Sequence, residues 1–389
     1  MRTVAVFHRA GLAKKMATQV LMAGTAVASS SGLFLAAPRR TGKSTFLRED
    51  FRPALEKQNA LVLYVDLWAD KKADPGEVIV TAVRQELSKH EGVLLRLARG
   101  AGVEKAAVGG LAFDLNKVGL GSGISLSAAF SALSDEAKRP IVLIIDEAQH
   151  AITTDNGYDA LFALKAARDE LNSSAHFGLR VVATGSNRDK LAMLRNSKDQ
   201  AFFGAPLVAF PALGRDYIEW FCKEVQLDSP LNPDTVEALF QRAACRPEIL
   251  GAAVDAIRFD FEIEAKDLLT KFSESVEQQI QENEAQTLRV VRALTPLQSA
   301  VLRVLAARAS TYAPFESATM ALYKQALLAI APDDSVAADV TNVQQALLAL
   351  QDKALIWKER RGVYALEEGA LADLMQSKGM LACLNQATP

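Results

Sequence analysis

The chain has 389 residues, 44 of them Lys or Arg and 46 Asp or Glu, for a net charge of −2. Half of the residues are hydrophobic, enough to bury two or three cores of about 100–200 residues each and to exclude a disordered chain. The charge balance excludes a basic nucleic-acid coat, and three scattered cysteines (Cys222, Cys245, Cys383) with four histidines lacking ligand spacing exclude a disulfide scaffold and a Cys/His zinc site.

In chain order, Phe7-His8-Arg9 leads into a helix over Leu12 to Met22. Ala17 to Ser29 mimics the end of a signal peptide, but Gln19 and Thr25 interrupt it and no apolar run reaches membrane-spanning length. The expectation is a cytoplasmic protein with no membrane partner. Leu33 to Ala37 reads as a strand, Ser44 to Lys57 as a helix, Leu61 to Leu67 as a strand and Pro75 to His90 as a helix. Ile141 to Ile145 is a buried-strand run, Tyr158 to Asn172 a helix and Leu179 to Thr184 another strand. Near-continuous apolar strands alternating with helices predict a mainly parallel sheet covered on both faces.

Gly100 to Ser127 breaks that alternation with seven glycines. It reads either as a surface loop or as an inserted β-hairpin near 108–126, followed by a helix near Ser127 to Leu133. After Pro211 short helices follow: Asp216 to Glu224, Asn232 to Ala244 and Pro247 to Phe259. Leu268 to Arg292 is a polar connecting helix. Three more helices (Pro296 to Arg308, Ala318 to Ile330, Val340 to Lys353) precede two short β runs, Ala354 to Glu359 and Gly362 to Leu366. That order is the order of a winged helix-turn-helix.

Chemistry concentrates in Ala37-Pro38-Arg39-Arg40-Thr41-Gly42-Lys43-Ser44-Thr45, a P-loop pattern between a strand and a helix with Ala37 in place of the first glycine. Such a loop wraps polyphosphate in backbone N–H groups at a helix start. Gly42 permits close backbone approach, Lys43 reaches the β- and γ-phosphates, and Ser44 offers its hydroxyl to Mg²⁺. About 100 residues on, Ile141 to Ile145 delivers Asp146 and Glu147 at a strand end. This is the Walker B form: Asp146 for the Mg²⁺ shell, Glu147 to activate water. The Asp-Glu pair favours water as nucleophile over a kinase acceptor. The Leu179 to Thr184 strand ends in Gly185-Ser186-Asn187-Arg188, and Ser186 and Asn187 both qualify as the polar group that positions the water and senses phosphate.

Ala-Pro-Arg-Arg-Thr-Gly-Lys-Ser, Ile-Ile-Asp-Glu-Ala-Gln, Ala-Thr-Gly-Ser-Asn and the terminal winged helix together resemble the archaeal-type ATPases of the AAA+/STAND group, relatives of origin-binding and transposition-regulator ATPases. The resemblance covers nearly the whole chain. It implies an α/β P-loop NTPase with an AAA+-like parallel sheet over 1–210, a helical lid over 211–285 and a winged helix-turn-helix over 286–389. It implies ATP or ADP and Mg²⁺ as ligands. Cys245-Arg246-Pro247 resembles the family's sensor 2 segment, which would set Pro247 near adenine and Arg246 near the phosphates. Ala205 follows Phe203-Gly204 where relatives carry an arginine, leaving Arg188 or Arg195 as a finger toward a neighbouring subunit. His8 and His150 read as ordinary structural or surface histidines.

The winged helix raises the question of double-stranded DNA against a protein partner or a homo-oligomer. On the candidate recognition helix Gln344, Gln345 and Gln351 suit base edges, but no arginine accompanies them. Lys358, Arg360 and Arg361 on the wing suit phosphates. Residues 286–389 hold ten basic and nine acidic residues, so no strong electrostatic footprint accompanies them.

Overall fold

The computed structural model describes residues 5–22, 28–70, 72–90, 92, 93, 97, 118, 119, 123–173, 176–196, 200–225, 227, 229–332, 336–360 and 362–384. The chain divides into two compact units, Met1–Val225 with Cys245–Pro247, and Gln226–Ala244 with Glu248–Pro389.

In the first unit the strands are β1 (Leu33–Ala36), β2 (Leu61–Asp66), β3 (Val118–Gly119), β4 (Ile124–Ser125), β5 (Ile141–Asp146), β6 (Leu179–Gly185) and β7 (Leu207–Ala209). Five of them form one sheet in the order β2-β5-β6-β1-β7, every pair parallel. Period-two alternation sorts their side chains into two cores. Ile141, Leu143 and Ile145 bury on one face with Phe34, Leu63, Val65 and Val181. Val142 and Ile144 bury on the other with Leu35, Val62 and Val182. The first face is covered by the helices Pro75–Leu87, Leu126–Ala137 and Asp155–Ser173, the second by Ala10–Leu21 and the helical run from Lys43 to Lys57.

Local chemistry sets the helix ends. Asp74 caps Pro75–Leu87, its Oδ1 accepting from Gly76 N (2.9 Å) and Glu77 N (3.2 Å), with Pro75 in the first helical position. The helix stops at Leu87, three residues short of the sequence expectation. The run after the P-loop is three segments: Lys43–Phe46, a π-turn at Leu47–Phe51, and Arg52–Lys57.

Two expectations change. The edge strand β7 went unforeseen, because Leu207-Val208-Ala209 is short and half exposed, as an edge strand is. In the Gly-rich segment, β3 and β4 pair in parallel and so form no antiparallel hairpin; residues 100–117 lie outside the described residues. The helix predicted near Ser127 is present, starting at Leu126 with Ser125 as its cap.

The second unit begins with the helices Pro233–Arg242 and, after the Cys245–Pro247 link, the helix beginning at Pro247; Leu268–Arg292 follows. It ends in the element order expected of a winged helix-turn-helix: Pro296–Arg308, Ser317–Ile330, Val340–Asp352, then the antiparallel ribbon β8 (Ile356–Arg360) and β9 (Val363–Leu366), closed by Ala370–Ser377. A capping box joins Thr295 and Gln298 at the first of these helices. Val301, Leu305, Tyr323, Val343, Leu347, Leu350, Ile356 and Tyr364 share one core.

Candidate active site

The sheet order decides where the chemistry gathers. β6 runs between β1 and β5, so the P-loop strand and the acidic strand lie two strand spacings apart, about 10 Å. The carboxyl end of β6 fills the middle, and the open side of the loop faces the acids across it. This is the crevice where parallel α/β sheets bind ligands.

β1 hands over to the loop at Ala37, whose N–H donates to Gly185 O on β6 at 3.0 Å. Thr41 Oγ1 donates to Pro38 O at 2.8 Å and closes the loop on itself. Gly42 stands at φ +80° immediately before the helix, a conformation open to glycine at little cost. Arg40 also takes a left-handed φ of +62°. Lys43 therefore starts the helix with its side chain 5% exposed, pointed at the acids, while Arg39 and Arg40 remain exposed.

Lys43 Nζ lies 2.6 Å from Glu147 Oε1 and 2.8 Å from Asp146 Oδ1. Ser44 Oγ donates to Asp146 Oδ2 at 2.6 Å. Thr184 Oγ1, fully buried on β6, donates to Asp146 Oδ1, and Tyr64 OH on β2 donates to Oδ2 at 3.0 Å. Glu147 sits one residue past β5 in a left-handed turn, φ +54°. Its Oε2 accepts from Gln149 Nε2 (2.5 Å), Ser186 Oγ (2.8 Å) and Ser186 N (3.2 Å). Burial raises the pKa of both carboxyls, but the Lys43 charge and the surrounding donors outweigh it and hold both below the ordinary carboxylate range. A buried lysine is stable here only because two carboxylates answer it.

A further layer holds this cluster. Arg48 Nη2 donates to Asp66 Oδ2 at 2.9 Å and its guanidinium lies 5.0 Å from the Tyr64 ring centre. Burial and the nearby Asp146 charge raise the Tyr64 phenol pKa, so it stays a donor at working pH. Arg39 lies over Trp68 (5.1 Å), and Trp68 also meets the His150 ring at 4.2 Å. At the N-terminus, His8 Nδ1 and Arg9 N both bond Asp50, at 2.8 and 2.9 Å, and Arg9 reaches the Pro211 and Ala212 carbonyls.

Lys43, Ser44, Asp146, Glu147 and Ser186 thus come together at the carboxyl ends of β1, β5 and β6. Asn187 Oδ1 caps the helix Arg188–Met193, accepting from Lys190 N at 2.9 Å. Pro247 opens its helix after Ala244 and Cys245, both at φ +54°, and Cys245-Arg246-Pro247 groups with the first unit. Arg188 begins its helix, and Arg195 donates to Asn196 Oδ1 at 3.2 Å. Gln344 and Gln345 are exposed on Val340–Asp352, as is Lys358 on β8. Trp357 and Tyr364 are buried at the base of the wing; Arg361 lies outside the described residues. Sequence reasoning missed Tyr64, Thr184, Gln149 and the His8–Asp50 pair. Each is polar and sits in or beside an apolar stretch or within the motif itself, and that mismatch was the available signal.

The site also fits Mg²⁺. Ser44 Oγ and Asp146 Oδ2 are adjacent hard oxygens, and this ion takes few protein oxygens beside phosphate and water. Among the described residues no cluster of three His, Cys, Asp or Glu would hold a metal alone.

These features define a class: the fold is that of the AAA+-type P-loop ATPases. Two solved structures share it along nearly the full chain. A Walker-type ATPase of Pyrococcus abyssi is 16% identical with a TM-score of 0.53, covering 95% of this chain and 96% of that one. The Aeropyrum pernix ORC2 protein in its ADP form is 16% identical with a TM-score of 0.56, covering 100% and 97%. No protein-family model matches the sequence, and no curated protein matches it. Among the described residues no helix is long and apolar enough to cross a membrane.

Proposed function

We propose that this chain is an ATPase switch that binds ATP with Mg²⁺, hydrolyses it slowly, and uses the bound state to control binding of DNA or a protein partner. The observation that carries the reading is the meeting of Lys43, Ser44, Asp146 and Glu147 at the ends of β1 and β5. A P-loop lysine that already has two carboxylates as partners can exchange them for phosphate oxygens at little electrostatic cost. Residues Ala37 to Thr45 would then cradle the phosphates, with Arg246 and Pro247 contributing from the lid. Ser44 and Asp146 would hold Mg²⁺, which when bound neutralises phosphate charge. Glu147 would take the proton of the attacking water. In this reading the core spans 1–210, the lid 211–285 and the winged helix 286–389, in a protein that works in the cytoplasm where ATP is made. The Aeropyrum pernix ORC2 protein has been solved in an ADP form and in ADPNP-ADP complexes, which is consistent with nucleotide in this fold.

Phosphate release measured with and without Mg²⁺ tests the reading. Wild type should turn over, and Glu147→Gln should fall about 100-fold while still binding ATP. Equal rates would remove Glu147 from the chemistry. A second reading, a nucleotide-stabilised DNA- or protein-binding module with little hydrolysis, is favoured by one observation: four donors already occupy Glu147. Tight ATP binding with no Mg²⁺-dependent release would support it.

A further inference from the structure

Gln149 lies two residues beyond Glu147, in the Ala148–Thr153 turn, and is 3% exposed. Its Nε2 donates to Glu147 Oε2 at 2.5 Å and to Ser186 Oγ at 3.3 Å, which uses both amide hydrogens. Its Oε1 is buried with no hydrogen-bond partner among the described residues. A buried acceptor without a donor is unfavourable, and an apolar side chain of similar shape would fill the space without that cost. The donor half of the amide must therefore matter.

Gly185, on a separate segment, is shaped around the same amide. A Cβ built there would collide with Gln149 Oε1 and come within 3.2 Å of its Cδ. Gly185 does not take a positive φ, so a side chain there is limited by what its Cβ would meet, the Gln149 amide and Leu191 Cδ1 at 3.2 Å, and the amide would have to shift.

The donors on Glu147 divide unequally. Oε1 is held by Lys43, the group that must turn away to hold phosphate. Oε2 is held by Gln149 and Ser186, which lie on the segments after β5 and β6 and not on the P-loop. We propose that Gln149 is a positioning residue: with Ser186 it fixes Oε2 of Glu147, so that Oε1 is the oxygen presented to water once Lys43 moves to the phosphates. This deepens the ATPase reading and rests on it. A glutamate side chain has three rotatable bonds, and misplacement of a reacting group by about 1 Å costs up to 100-fold in rate.

Steady-state hydrolysis by Gln149→Ala, Gly185→Ala and wild type is the test, with thermal melting to confirm folding. Gln149→Ala should lower kcat about 10- to 100-fold and leave KM for ATP within about twofold. Gly185→Ala keeps the amide but displaces it, and should lose kcat in the same way. Added to Glu147→Gln, Gln149→Ala should cost nothing further, since it acts through that carboxylate. Unchanged kcat in Gln149→Ala, or an equal further loss in the Glu147→Gln background, overturns the proposal. If wild type and Glu147→Gln turn over equally, the ATPase reading itself fails. The grip is then read from crystal structures of the nucleotide-free wild type and Gln149→Ala. Departure of the Glu147 carboxylate from Ser186 in the variant supports it; an unmoved carboxylate overturns it.

Discussion

The active-site crevice and the winged helix are built on opposite principles. In the crevice, Lys43, Asp146 and Thr184 are buried with their polar groups turned on one another. In the winged helix, burial belongs mostly to hydrocarbon, and its buried polar groups are uncharged hydroxyls, among them Ser299, Thr319 and the Tyr312–Tyr323 pair at 2.6 Å. Gln344, Gln345 and Lys358 stay outside. Buried charge is expensive, and hydrophobic replacements often fold as well or better. A chain that keeps three ionised groups in one crevice and packs another module with aliphatics is holding charge for use and packing for stability. Substitution should therefore damage ligand chemistry in the first region and folding in the second.

The largest expected effect is Lys43→Ala. ATP affinity measured by calorimetry should fall at least about 100-fold, and stability should drop by about 3–5 kcal/mol because two buried carboxylates lose their cation. The pH dependence sharpens the point. Asp146 and Glu147 have folded pKa values below their unfolded ones. The stability they contribute is thus complete above the unfolded carboxylate pKa and is lost as pH falls through the folded values. Denaturant titrations of Lys43→Ala at decreasing pH should show a smaller acid loss than wild type. An unchanged ATP affinity would break the assignment.

Trp357→Ala tests the other side of the comparison. The indole is 7% exposed and donates from Nε1 to Leu366 O at 3.1 Å. Urea unfolding should show a loss of about 3–5 kcal/mol. A smaller effect belongs to Tyr64→Phe, which keeps the ring and removes one donor from Asp146. The Mg²⁺ concentration giving half-maximal hydrolysis should rise about 10-fold with the melting temperature nearly unchanged. A shift in melting without a shift in Mg²⁺ dependence would make Tyr64 a packing residue. The smallest effect is expected on the wing. Replacing Lys358, Arg360 and Arg361 by alanine should weaken duplex DNA binding at low salt and lower the log-affinity against log-salt slope by about three. Unchanged affinity and slope would leave the wing to a protein partner.

The parts legible in the sequence are those where chemistry demands particular residues at fixed spacing. Gly42-Lys43-Ser44 after a strand and Asp146-Glu147 at the end of another are such cases, and the unbroken apolar run Ile141 to Ile145 implies a sheet covered on both faces. What stayed hidden joins residues far apart in the chain: Tyr64 with Asp146, His8 with Asp50, Arg39 with Trp68. No local pattern encodes these pairings; they exist because β2 lies beside β5 and because the helix after the P-loop brings Asp50 back to the N-terminal segment. Asn187 has a local duty that its type alone does not reveal: a helix begins one residue later, and its side chain caps it.

The chain carries three tryptophans, and Trp68 stands against Arg39 of the P-loop. It is pressed between the Arg39 guanidinium and the His150 imidazole, on the rim of a crevice that must rearrange to take phosphate. Its emission is consequently a built-in optical gauge of the loop. Displacement of Arg39 by an arriving nucleotide would alter the light from that indole, and replacing Trp220 and Trp357 by phenylalanine would leave its signal alone to be read.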